Sequence, residues 1–346
     1  MKKADINSIE VARLAGVSRS TVSRVINNYA NVPNETREKV MKVIQQYNYF
    51  PNVSAQVLAG KRARTIGLFL IAPGHVSSDI LTNMLIVSVI EHASACGYYV
   101  LTHIIRDAKD TETVKNVKEI FFQRRIDGGI FIGAANHEPF IEELVAEGFI
   151  VGVVDQEHPE IPQSNRIVAN FNNDSGMKQA VAYLAGLGHT RIGVINGDMN
   201  RLSGPTKYEG FLKAMQLCGL QVNRDWVLEG SFHEESGYEA IHTFLRIQGE
   251  RPTAIIAAND SVAFGAIRAL KEHGLQVPEH ISVIGFDDHA LSEKHHPALT
   301  TIRVDFSDML KQLTTILIAK IEKPSSDIRE ITLDCCLVIR ESCRRV

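Results

Sequence analysis

No run of eighteen apolar residues occurs in the 346-residue sequence, and its first thirty residues are too polar to hold the core of a secretory signal. Membrane insertion and secretion are therefore not expected, and a cytoplasmic location is. Cysteine is scarce: Cys96, Cys218, Cys335, Cys336 and Cys343 are odd in number and show no CxxC spacing, which excludes a disulfide framework and a zinc knuckle. The sequence also lacks a GxGxxG turn, a Walker phosphate loop, a GxSxG elbow and an HExxH helix. Its histidines are dispersed apart from His295 and His296. No catalytic residue, metal site or cofactor is expected. What remains, 45% apolar and 22% charged residues without low-complexity tracts, is the composition of a globular protein of two or three domains.

The net charge of −3 is unevenly spread. Residues 1–64 hold eleven Lys and Arg against four Asp and Glu, a balance of +7, which leaves −10 for the rest. A basic module on an acidic body suits contact with a polyanion through the module alone. A solvated basic tail is the plainer alternative.

Within that module, Ser8 to Ala15 places Ile9, Val11, Ala12, Leu14 and Ala15 at helical spacing, and Gly16 supplies a left-handed turn. Ser18 is an N-cap for a second helix, Arg19 to about Asn27, with Val22, Val25 and Ile26 on one face and Arg19, Ser20, Ser23, Arg24 and Asn27 elsewhere. Two short helices joined through Gly form a helix-turn-helix pattern. Pro33 or Asn34 opens a third helix, whose Val40, Val43, Ile44 and Tyr47 can cover the first two.

From Thr65 onward the pattern changes to apolar runs (IGLFLI, YYVLTHI, GGIFIG, FIVGVVD, RIGVIN, TAIIAA and ISVIGF) separated by helices such as Asn173 to Ala185, Asp260 to His273 and Phe306 to Ile321. Buried runs alternating with helices indicate parallel sheets covered on both faces. The region exceeds one comfortable core, so two lobes are expected, with a break near Ile161 to Ile167.

The segments VARLAGVSRSTVSRVIN and PNVSAQVLAGKRARTIG, together with Gly285-Phe286-Asp287-Asp288 ahead of Leu299-Thr300-Thr301-Ile302, resemble the headpiece, hinge and body of the LacI/GalR family of bacterial transcriptional regulators. The resemblance spans the chain. It implies an all-α helix-turn-helix headpiece (residues 1–50), a hinge helix and linker (51–64) and an α/β core (65–346) of two doubly wound parallel-sheet lobes like periplasmic binding proteins. The lobes are expected at about 65–165 with 303–325, and 166–302 with 326–346.

In such a headpiece the second helix enters the major groove, where residues at its start reach base edges. Arg19, Ser20 and Arg24 are the expected readers of sequence, and the resemblance assigns Ser18, Thr21 and Asn27 to backbone phosphates. A phosphate contact is the alternative for Arg24. The hinge, Ser54 to Ala59, is too short to be stable alone, since helices under roughly twelve residues are marginal in water. The family uses a hinge Leu to pry open a base step from the minor groove; the matching residue is Leu58, with Ala55 and Gln56 nearby. A dimer contact is the alternative for Leu58.

Ligands of open α/β folds bind beyond the carboxyl ends of the strands. The polar residues there are Asp155, Asn196, Asn259, Asp260, Asp287 and Asp288. Clustered Asp and Asn suit a polyhydroxylated ligand, because carboxylates accept from hydroxyls and amides both donate and accept. The resemblance places Asn259 and Asp287 in the pocket, with Phe306 as a stacking residue. Asp260 is equally well a helix cap, and Asp155 and Asp288 equally well partners of turn or hinge backbone.

The sequence departs from the family pattern twice. The first core strand is followed by IAPGHVSSDILTN, in which His75, Ser77 and Ser78 stand in for the usual pocket-forming stretch. Lys207 of TKYEGF stands where the family usually has an effector-binding Arg. A point charge there suits an anionic oxygen, hence a sugar acid or sugar phosphate, with Arg201 as a second cation, against which stand the like charges of Asp155 and Asp287. A conservative drift or a solvent-facing helix residue is the alternative for Lys207. The expected function is repression of carbohydrate genes by a homodimer on a near-palindromic operator, under a small carbohydrate-like effector. No leucine heptad follows Ser342, so a dimer rather than a tetramer is expected. Control mainly by a protein partner, and a sugar receptor that does not bind DNA, are the rivals.

Overall fold

Local capping sets the ends of three short helices. In α1 (Ser8–Ala15) the Asn7 side chain accepts from the backbone N–H of Ile9 and Glu10, both at 3.0 Å, and Gly16 at φ 66° closes the other end. In α2 (Arg19–Ile26) Ser18 Oγ accepts from Thr21 N at 3.1 Å. α3 (Asn34–Tyr47) follows Pro33 and stops at Asn48, φ 49°. Val11, Ala12, Val22, Val25, Val32 and Val40 form their core. Ile9 and Leu14, expected on the buried face, are exposed instead. The helical period explains Ile9, which lies about 200° round the helix from Val11.

These helices belong to one of two units in this computed structural model, one ending at Ala63 and the other starting at Arg64. The structure describes residues 6–50, 57, 60, 62–72, 80–161, 163–247, 249–323 and 330–346. Ala55, Gln56, Leu58 and His75 lie outside the described residues, as do Ser77 and Ser78. No helix among the described residues is long and apolar enough to cross a membrane.

The second unit contains two six-stranded sheets. The first is built from β1 (Thr65–Ile71), β2 (Tyr99–Ile105), β3 (Gly128–Ile132), β4 (Val151–Val154), β5 (Arg166–Phe171) and β11 (Glu330–Leu333), in the order β11-β5-β4-β3-β1-β2. All its pairings are parallel. The second holds β6 (Ile192–Ile195), β7 (Val227–Leu228), β8 (Ala254–Ala257), β9 (Ser282–Asp287), β10 (Thr300–Arg303) and β12 (Cys336–Val338), in the order β12-β10-β9-β8-β6-β7. Among the described residues, only β10 and β12 pair antiparallel.

Helices cover both faces of each sheet, which is why the inner strands are buried along nearly their whole length rather than on alternate residues. In the first lobe, α4 (Ile80–Ala95) and α11 (Phe306–Glu322) lie on one face and α5 (Thr111–Phe122) and α6 (Pro139–Ala146) on the other. In the second, α7 (Asn173–Gly186) and α8 (Ser203–Leu217) face α9 (Glu234–Leu245) and α10 (Asp260–Glu272) across the sheet. One apolar core runs beneath α4 and α11, through Phe171, Phe286 and Phe306, to α7 and α8, so the lobes share a core at their junction.

The lobe boundaries differ from those expected. β5, placed by sequence at the start of the second lobe, pairs with β4 in the first, so the first crossing lies between Phe171 and Asn173. The chain returns between Arg303 and Phe306, and crosses again between β11 and β12, so residues 330–333 belong to the first lobe. Strand partners in a parallel sheet are remote in sequence, and an apolar run alone does not say which sheet it joins.

Candidate DNA-reading helix and effector cleft

On α2, Ser18, Arg19, Ser20, Ser23 and Arg24 are exposed, while Thr21 and Asn27 are half-buried. The hydroxyls of Ser18, Ser20 and Thr21 cluster at the helix start, with Ser18 Oγ 2.7 Å from Ser20 Oγ and 2.9 Å from Thr21 Oγ1. A helix N-terminus carries partial positive charge, so hydroxyls grouped there suit a phosphate oxygen. Arg19 Nε donates to Ser8 Oγ at 3.1 Å, which anchors its stem near α1. Asn27 caps the end of α2, and its amide donates to Ser23 Oγ at 3.3 Å.

Between the two lobes lies a cavity of about 260 Å³. Asp155, Lys207, Asn259, Asp287 and Phe306, singled out by sequence, all line it. Strand ends and helix starts deliver them: Asp155 follows β4, Asp287 ends β9, Asn259 precedes α10 and Phe306 opens α11.

Asp155 joins the lobes. It is buried at φ 60°, and one carboxylate oxygen accepts from Ser203 N at 2.9 Å and from the Ser203 hydroxyl. The other lies 3.0 Å from the Arg201 guanidinium, which itself sits 4.8 Å over the Phe232 ring. The backbone N–H of Asn136 donates to Asn200 O beside this pair, at 2.8 Å. Gly204 allows the approach: a Cβ there would meet Asp198 O at 2.1 Å, so only glycine lets α8 start against the loop that carries Arg201.

Lys207 is not a solvent-facing cation. It is 4% exposed, donates to Ala258 O at 2.7 Å, and lies 3.6 Å over the Phe286 ring, with Phe171 and Phe232 within 6 Å of its amine. Burial pushes its pKa down, opposed by the charges of Asp287 and Asp155. Asn259 is committed as well: its Oδ1 caps Val262 N and its Nδ2 donates to Phe232 O, each at 2.9 Å. Phe306 packs edge-on against Phe171, centroids 5.8 Å apart.

Three strand-end residues hold structure around this cavity without lining it. Asn196 continues the β6 ladder through its N–H to Leu228 O. Asp260 is buried and accepts from His289 N and Ser292 Oγ at 2.6 Å and from Thr301 Oγ1 at 2.5 Å. Asp288 pairs with Arg303 and Arg340, both at 2.6 Å. Sequence reasoning missed Ser203, Phe171 and Phe232 as lining residues. Phe171 ends a strand, the signal that found Asp155, but a lone Phe there looks like any core residue.

The profile described as "Bacterial regulatory proteins, lacI family" matches residues 9–52, and that described as "Periplasmic binding protein-like domain" matches residues 181–343. The HTH-type transcriptional repressor PurR of Pasteurella multocida (strain Pm70) is 35% identical over 339 residues, 96% of this chain and 97% of that protein. The chain belongs to the LacI family. Among solved structures, the lac repressor dimer bound to operator and the anti-inducer ONPF superposes with a TM-score of 0.81 at 28% identity, over 98% of this chain and 99% of that one. The transcriptional regulator CelR in complex with cellobiose gives 0.74 at 25%, over 97% and 99%. This LacI-family chain is thus a DNA-binding transcriptional repressor under effector control, in a family of regulators rather than enzymes.

Proposed function

We propose that the protein is a cytoplasmic homodimer that binds a near-palindromic operator through α2 and is controlled by a small, neutral, carbohydrate-like effector held between its lobes. On the DNA side the supporting observation is the exposed row Arg19, Ser20 and Arg24 beside a hydroxyl cluster at the start of α2. Arg19 and Arg24 read base edges, while Ser18, Thr21 and Asn27 hold phosphates. Ala55, Gln56 and Leu58 complete the reading as a minor-groove hinge.

Arg19→Ala is expected to relax base preference at one position in each half-site, at roughly 1–3 kcal/mol per contact. Binding to a panel of single-base operator variants measures it. Uniform weakening on every variant would make Arg19 a phosphate contact.

For the effector, the observation that carries the reading is that the cations at the cavity are already engaged. Arg201 pairs with Asp155 through a terminal nitrogen, leaving a buried Nε without a partner, and Lys207 is held by a carbonyl and an aromatic face. An acidic or phosphorylated sugar would therefore meet the Asp287 carboxylate without an uncommitted cation from either. A neutral ring compound instead donates hydroxyls to Asp287 and lays an apolar face on Phe306 or Phe232. The relative solved with cellobiose agrees with a sugar. The four Phe at or beneath the cavity, 171, 232, 286 and 306, equally favour a second class, a planar heterocycle whose ring N–H groups donate to Asp287.

A thermal-shift panel of neutral sugars, their acid and phosphate forms, and free heterocyclic bases separates the classes, since binding raises apparent stability by mass action. Asp287→Asn should weaken the active compound by about tenfold to a hundredfold, the value of a hydrogen bond to a charged group. Stronger binding of acid or phosphate forms, or undiminished binding by the variant, overturns the neutral-effector reading.

A further inference from the structure

Asp287 has φ 107°, outside the left-handed well that Asn and Asp tolerate and in a region kept almost wholly for glycine. The next residue, Asp288, is at φ 56°. Two consecutive non-glycine residues at positive φ end β9 at the cavity wall. Such a conformation persists only where its surroundings over-determine it.

The surroundings do so through the two residues that follow Asp287. Behind Asp287, the Asp288 carboxylate is gripped by two arginines that come from different segments. Arg303 Nε, at the end of β10, donates to one oxygen at 2.6 Å. Arg340 Nη2, beyond β12, donates to the other at 2.6 Å. Arg340 is itself fixed, with Nη1 donating to Leu299 O at 2.8 Å and its backbone N–H to Thr300 Oγ1 at 2.9 Å. One residue further, Asp260 takes the N–H of His289 and ties the same loop to Ser292 and Thr301. The peptide that would have to rotate to relax Asp287 is therefore held at residues 288 and 289. The Asp288 and Arg340 side chains are only 11% and 14% exposed, so water competes weakly for their pair.

We infer that Arg340 and Arg303 are positioning residues which act through Asp288 to force the strained backbone at Asp287 and so keep that residue at the effector cavity. Neither arginine lines the cavity. A strained acceptor site set in advance does not have to be ordered when a ligand arrives, so affinity is gained without added contacts. The inference rests on the proposed role of Asp287 as the effector's acceptor, but its physical core, enforced strain, is measurable without any effector.

The test compares melting temperatures of the full chain carrying Asp287→Ala and Asp287→Gly. Both lose the carboxylate, and only glycine accepts φ 107° without strain. Glycine is expected to melt higher than alanine by about 2–8 °C. The same pair made in Arg340→Met, and again in the isosteric Asp288→Asn, should show that gap closed or inverted, because the backbone is released. A gap unchanged in both backgrounds overturns the inference. Whichever compound of the sugar and heterocycle panel shifts the wild type is then titrated calorimetrically. Arg340→Met should bind it at least tenfold more weakly, and Arg340→Lys should recover part of the loss. Equal affinity in Arg340→Met removes the positioning role even where the strain is real. A panel with no active compound counts against the effector reading alone, and the alanine–glycine gap still decides the strain.

Discussion

Asp155→Ala is expected to destabilise the two-lobed unit by about 3–5 kcal/mol, the cost typical of breaking a buried ion pair from one side. The melting temperature should fall by roughly 6–20 °C. Three donors lose their acceptor together: the Ser203 N–H at the start of α8, the Ser203 hydroxyl and the Arg201 guanidinium. Arg201 has little to turn to, since its Nε is already buried without a hydrogen-bond partner. Asp155 lies on the first lobe and its partners on the second, so the same substitution should let the lobes part. An increase in the radius of gyration by small-angle scattering reads this separately from stability. Asp155→Asn, which keeps an acceptor for Ser203 but loses the charge, should fall between. A Tm within a degree or two of the wild type would mean that the pair holds neither the lobes nor the helix.

The second large effect concerns pH. Burial pushes the Asp260 carboxyl from 3.8 up to about 7, although the donors Ser292, Thr301 and His289 N favour its charged form. The folded chain then keeps a proton at Asp260 that the unfolded chain releases above about pH 4. The stability linked to that proton is complete below pH 4, is lost as pH rises to about 7, and is constant beyond. Its full extent is roughly 4 kcal/mol for a shift of this size, an upper figure. Asp260→Asn removes the titration while keeping a side chain that donates and accepts. The stability of the variant relative to the wild type, from urea unfolding, should therefore improve between pH 5 and pH 8. A difference that does not change with pH would show a carboxylate ionised throughout.

Much of the headpiece was legible in the sequence because its determinants act over a few residues. Ser18, Gly16 and Pro33 each fix a helix end by a bond or a dihedral within three positions. The strands that pack on both faces were legible for a related reason, as uninterrupted apolar runs. Five strands, β5, β7, β10, β11 and β12, were not. β7, β10, β11 and β12 are two to four residues long, and β5, though largely apolar, carries Arg166 and Asn170 and runs into the start of α7.

The candidate site divides in the same way. The topology of an open α/β sheet puts strand ends at a cleft, so Asp155, Asn259 and Asp287 stood among six candidates from position, and the family resemblance singled out Asn259 and Asp287. What each does there depends on residues far away. Asp155 meets Ser203, 48 positions on, and becomes a tie between lobes. Lys207, which reads as a free cation on a helix, meets Ala258, 51 positions on, and lies over the Phe286 ring. Asp288 meets Arg340 across 52 positions. The sequence by itself determined the headpiece, the doubly wound class and the places where polar groups end strands, since these follow from capping, periodicity and runs. Only the tertiary structure decided lobe membership, which charges are spent on the protein itself and where the backbone is strained, because hydrogen-bond partners and strand neighbours are chosen in space.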